Sequence, residues 1–163
     1  MNAQLVNEAG EVVGYKDRQT IDRQLDLLHS VLVIAKTADG VYTLSVIPIA
    51  GHLPAFAGKL GASAATFLRE GETIQQAAVR ACSEDLDIDA QAVIHLGDRF
   101  YEYVNGMRRF VSAFSAEIPR SKTVLPDQVQ AFSRPDIEAI LVEEQSLLSP
   151  SLVALWNDYR EVL

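Results

Sequence analysis

Only one cysteine, Cys82, occurs in 163 residues. No internal disulfide can form, and a reducing compartment is the expected home. Basic residues are also scarce, with 14 Lys and Arg against 22 Asp and Glu and a net charge of −8. That balance leaves no broad basic face for a nucleic-acid backbone, so no such partner is expected. A small phosphorylated ligand stays open, because carboxylates hold Mg²⁺ and Mg²⁺ carries phosphate. Long apolar runs are missing as well. Nothing approaches the ~20 consecutive apolar residues of a membrane-spanning helix. The opening stretch MNAQLVNEAGEV has neither a basic nor an apolar signal region. A cytoplasmic protein without a membrane partner is the expectation.

What is present is a well-filled interior. Apolar residues make up 48% of the chain, and its length suits a single domain spanning residues 1–163. Two short strands are expected around a turn at Glu8-Ala9-Gly10. Ile21, Leu25 and Leu28 repeat at helical spacing, which predicts a helix there. The β-branched runs SVLVIAK and VYTLSVIPI flank Ala38-Asp39-Gly40, a hairpin pattern. Ala50 to Gly61 reads as loop, and ASAATFL as a short buried strand. Thr73 to Leu86 carries the clearest helix signal. Thr73 and Gln76 form a capping box, and Ile74, Ala77, Ala78, Ala81 and Cys82 supply one apolar stripe. Asn105-Gly106 predicts a second hairpin between HLGDRFYEYV and MRRFVSAFSAEI. DIEAILVE reads as a strand, and SPSLVALWNDYREVL as a closing helix capped by Ser149 with Pro150 in its first turn. Together these elements predict an α+β fold, a mixed β-sheet between helices in an α/β/α sandwich.

The stretch GETIQQAAVRACSEDLDI, Gly71 to Ile88, resembles the signature of the Nudix hydrolases. In that pattern Glu72 takes the first acid position and Arg80, on the AAVR turn, the arginine. Cys82 stands at an apolar position, Glu84 and Asp85 at the paired acids, and Ile88 at the last apolar position. Three positions depart: the opening glycine is Thr66, the acid after the arginine is Ala81, and the late glycine is Asp87. VNEAGEVVGYKDR followed by LLH resembles the branch that includes isopentenyl-diphosphate isomerases. The cysteine that isomerase chemistry needs in a separate loop is absent, since Cys82 lies on the apolar face of the helix.

The resemblance implies the Nudix fold and a hydrolase, dependent on Mg²⁺ or Mn²⁺, that cleaves a diphosphate linked to another moiety. It assigns Glu72, Arg80 and Glu84 to the catalytic box and Glu84 and Asp85 to the metal, with Glu70 or Asp136 replacing the acid missing at Ala81. Acids at i, i+3 and i+4 on one helix share a surface and can hold a hard cation, whose bound water becomes the nucleophile. On this reading Ala81→Glu restores the set. Lys59, Arg69 and Arg99 are the expected substrate-binding cations, with Arg108 and Arg109 as further phosphate partners. The apolar run YTLSVIPIAG lacks the arginine pair that family members often place after that strand. His29, His52 and His95 have no metal-ligand spacing. Two readings stay open: a hydrolase weakened at Ala81, or a catalytically silent module that binds a small phosphorylated ligand. A homodimer is compatible with either.

Overall fold

The computed structural model describes residues 1–90, 92–103 and 106–163. Strands β1 (Asn2–Val6) and β2 (Val12–Asp17) pair antiparallel as a ribbon of their own. Their turn closes at Gly10, whose φ of +82° favours glycine. A side chain there would also collide with the Phe110 ring.

The main sheet is built on β3 (His29–Lys36), which runs parallel to β8 (Arg108–Glu117), in register from His29 opposite Phe110 to Lys36 opposite Glu117. The remaining pairings are antiparallel: β4 (Tyr42–Val46), β5 (Leu60–Gly61), β6 (Ala64–Phe67), β7 (Val93–Glu102) and β9 (Val129–Phe132). The order is β5-β4-β3-β8-β7, with β6 also on β3 and β9 on β4. Val31, Val33 and Ala35 of β3 pack with Phe114 and the buried stripe of helix α1 (Ile74–Leu86). Leu32 and Ile34, on the opposite face, pack with Ile137 of α2 (Arg134–Glu143) and with Leu152, Leu155 and Trp156 of α3 (Pro150–Tyr159). Burial on both faces explains why β3 is a nearly unbroken apolar run. The mixed sheet between helices is therefore the architecture that the sequence predicts.

Several elements differ from expectation, and the stretch Ala50 to Gly61, expected as loop, ends in strand β5. DIEAILVE is helical, not a strand. Ser133 and Asp136 exchange side-chain and backbone hydrogen bonds in a capping box, and Pro135 fits the first turn. The edge strand β9, just before it, had no counterpart in the sequence reading. The stripe at Ile21, Leu25 and Leu28 is not an α-helix. Asp22 and Asp26 take backbone amides with their side chains, which is how Asp breaks a helix. Leu25 is left exposed. The expected hairpin turn at Asn105-Gly106 falls on Asn105, outside the described residues; β7 and β8 pair on either side of it.

Candidate functional site

Helix α1 starts as its sequence dictates. Thr73 accepts the Gln76 amide, and the Gln76 side chain accepts the Thr73 amide in return. Just upstream, Glu72 accepts the Arg69 amide at 3.1 Å, which folds the Gly71 turn against the helix. Arg80 then reaches back from the second turn of α1. Its Nε and Nη2 donate to Glu72 at 2.7 and 2.9 Å, its Nη1 to the Thr66 hydroxyl at 2.8 Å, and its Nη2 also to the Phe67 carbonyl at 2.9 Å. The expected Glu72–Arg80 pair is thus present, and it staples α1 to β6. Thr66, where the resembled pattern has glycine, is one of the staples.

The paired acids are occupied. Glu84 is about half exposed and meets Arg80 at 3.3 Å and Arg69 at 3.4 Å. Asp85 turns the other way, to accept the Ala65 amide at 2.9 Å. Burial pushes the Asp85 carboxyl above its usual range, and that amide only partly opposes the shift. Ala81 is wholly buried in the core between helix and sheet. A carboxylate there would enter apolar packing, so the idea that Ala81→Glu simply restores a ligand set is corrected.

The expected replacements do not join the box. Glu70 accepts the Asn2 side-chain amide at 2.9 Å and ties down β1. Asp136 is the third-position acid of the α2 capping box, not a residue leading into a strand. Among the described residues no three His, Cys, Asp or Glu side chains gather closely enough to hold a metal ion. With Glu72 bonded to Arg80, Asp85 to Ala65 and Glu84 between two arginines, this donor set does not fit the Mg²⁺ or Mn²⁺ that the resemblance implies.

Beside the box lies a cleft of about 460 Å³, within the usual size of small-ligand sites. Its polar wall carries Arg18, Arg23, Arg69, Arg80 and Arg109 against one lining carboxylate, Glu84. In a protein of net charge −8, this is a concentration of positive charge. Leu32, Phe56, Tyr103 and Val111 supply apolar wall, and the Phe56 and Tyr103 rings meet edge to face at 5.8 Å. Of the cations expected from sequence, Arg69 and Arg109 line the cleft. Lys59 and Arg99 lie outside it; Arg99 is paired with Asp158 at 2.7 Å. Arg108 faces Glu8 at 3.6 Å. Sequence reasoning missed Arg18 and Arg23. The available signal was two Asp-Arg steps in a segment dense with turn-forming Asp.

The histidines are not ligands of a common centre. His29 is buried, with Nδ1 at 3.1 Å from Gln4 and Nε2 at 2.7 Å from Ser112, which donates to Asp98 at 2.6 Å. His95 pairs with Asp98 at 2.8 Å. His52 sits exposed at the cleft wall.

Neither a scan of protein-family models nor a search of curated proteins finds a match. Solved structures do match. DR0079 from Deinococcus radiodurans aligns at a TM-score of 0.76 with 17% identity, over 97% of this chain and 98% of its own. A NUDIX hydrolase from Nitrosomonas europaea gives 0.62 with 23% identity, over 83% and 89%. The NUDIX domain of Shewanella oneidensis NrtR, complexed with ADP ribose, gives 0.63 with 16% identity, over 90% and 92%. The class is therefore an α+β protein with a cationic cleft beside helix α1. Its fold is the Nudix fold. Among the described residues no helix is long and apolar enough to cross a membrane.

Proposed function

We propose that this protein is a Nudix-fold binding module for a small organic diphosphate, held in the arginine-lined cleft with its non-phosphate part against the apolar wall. One observation carries the reading: the box acids are engaged inside the protein, while guanidinium groups line the cleft. Guanidinium recognises phosphate oxygens through paired hydrogen bonds. The ADP ribose bound by the similar NrtR domain is a ligand of this chemical class, a diphosphate joining two organic groups.

The second reading is a divalent-metal-dependent pyrophosphohydrolase of reduced activity. The Glu72–Arg80 staple favours it, since it holds α1 and Glu84 beside the cleft.

The test is incubation with nucleoside diphosphates, dinucleotides and prenyl diphosphates in Mg²⁺ or Mn²⁺, with chromatography of the products and calorimetry of binding. Binding without turnover is expected. Metal-dependent turnover that Glu84→Gln abolishes would establish the hydrolase instead.

A further inference from the structure

We infer that the cleft grips its anion through Arg109 and does so without a divalent cation. This rests on the organic-diphosphate reading above and goes on to say which group supplies the positive charge. Arg109 sits on β8 and is only 8% exposed. Among the described residues no carboxylate pairs with it. Its Nη1 donates to the Arg108 carbonyl at 2.9 Å, and its guanidinium lies over the Phe67 ring at 5.4 Å. Its Nε and Nη2 donate to nothing in the described protein. Yet no buried side-chain nitrogen or oxygen among the described residues lacks a partner. Those N–H groups are therefore not sealed inside the core, and the space beside them is the cleft that Arg109 lines.

A guanidinium taken out of water without a counter-ion is costly. This chain has 22 acids, but the one carboxylate that lines the cleft, Glu84, pairs with Arg69 and Arg80 and not with Arg109. Burial weakens the hold of Arg109 on its proton, Tyr103 opposes that, and the nearby charge of Arg23 adds to it. Arg23, like Arg18, lines the cleft with no acid paired to it among the described residues. The wall is thus short of negative charge where its donors are free, and a phosphate group supplies both charge and acceptors. The acids of α1 stand differently, with Glu84 set between Arg69 and Arg80 and Asp85 accepting the Ala65 amide. A ligand anion does not need a metal to bridge it to this wall.

The test is calorimetry with inorganic pyrophosphate and with ADP-ribose, each in EDTA and in Mg²⁺, on wild type, Arg109→Met and Arg109→Lys. We expect wild-type affinity to survive EDTA nearly unchanged. Arg109→Met should weaken binding roughly 10- to 100-fold, the worth of lost charge-assisted hydrogen bonds, with Arg109→Lys in between. The ligand-free Arg109→Met protein should melt at or above the wild-type temperature, because an unpaired buried charge has been removed. Binding that requires Mg²⁺ overturns the inference but leaves the organic-diphosphate reading standing. Unchanged affinity in Arg109→Lys, together with a lower melting temperature in Arg109→Met, makes Arg109 a structural residue and also overturns it. No binding of either probe with or without metal overturns both.

Discussion

Arg80 holds Glu72 at two points, Nε to Oε1 at 2.7 Å and Nη2 to Oε2 at 2.9 Å, with both side chains mostly buried. The same guanidinium reaches Thr66 and Phe67 on β6, so the pair joins helix, turn and strand. Glu72→Gln should cost about 2–3 kcal/mol, because it leaves a mostly buried cation without its nearest charge partner. Burial alone would raise the Glu72 carboxyl; the Arg80 and Arg69 bonds outweigh it and hold the carboxyl below its usual range. A folded pKa below the unfolded one gives stability that is present above the ordinary carboxylate range and lost as pH falls through the folded value. Urea midpoints between neutral and strongly acidic pH should therefore fall less steeply for Glu72→Gln than for wild type. Parallel curves would show that the pair contributes nothing.

Ala81→Glu should destabilise the fold rather than create a metal site. Ala81 is completely buried among Val33, Phe114 and their neighbours, and an unpaired carboxylate there should cost roughly 3–5 kcal/mol. Thermal melts in EDTA and in Mn²⁺ check this. A variant that melts like wild type and gains stability from Mn²⁺ would show that the new carboxylate reaches the cleft.

The Cys82 thiol should resist labelling. It is fully buried, and burial pushes its pKa up to about 11, with Asp85 adding to the shift. Little thiolate then exists at neutral pH. A thiol reagent should react only as fast as the helix opens, and a burst of labelling in native buffer would contradict the packing.

Asp87→Gly should raise the melting temperature by a few degrees. Asp87 ends α1 in the left-handed region at φ 51°, the one non-glycine there among the described residues. Glycine takes this helix-ending position without the side-chain penalty. The exposed Lys122–Asp87 pair would be lost, but such pairs contribute little. A lower melting temperature would mean that this pair outweighs the backbone term.

Where the sequence spoke clearly, several local signals agreed. Thr73, Gln76 and the stripe through Cys82 all point to α1, and the seven-residue gap from Glu72 to Arg80 placed their contact. DIEAILVE misled because its β-branched and aliphatic run outweighed the cap; Ser133, Pro135 and Asp136 were the better guide. At Ile21, Leu25 and Leu28 the apolar period was real, but the side chains of Asp22 and Asp26 competed for the backbone. The box acids were visible as residue types, and their occupation by Arg80, Arg69 and the Ala65 amide was not, because those partners are fixed by packing. Arg18 and Arg23 come to the cleft from an irregular segment, where no periodicity says which way a side chain faces.

The parallel pairing of β3 with β8 also sets a timetable. β4 and β6 take one edge of β3, but the other edge of residues 29–36 pairs with residues 110–117, and the strands between them do not fill that central ladder. A chain emerging from the ribosome can form the β1–β2 ribbon and the β3–β4 hairpin early, but the middle of the sheet must wait until β8 has been made. Closing so long a loop is the slow kind of contact in folding. Until it closes, one edge of β3, apolar on both faces, remains open to other strands, and it is during that interval that this chain is most exposed to aggregation.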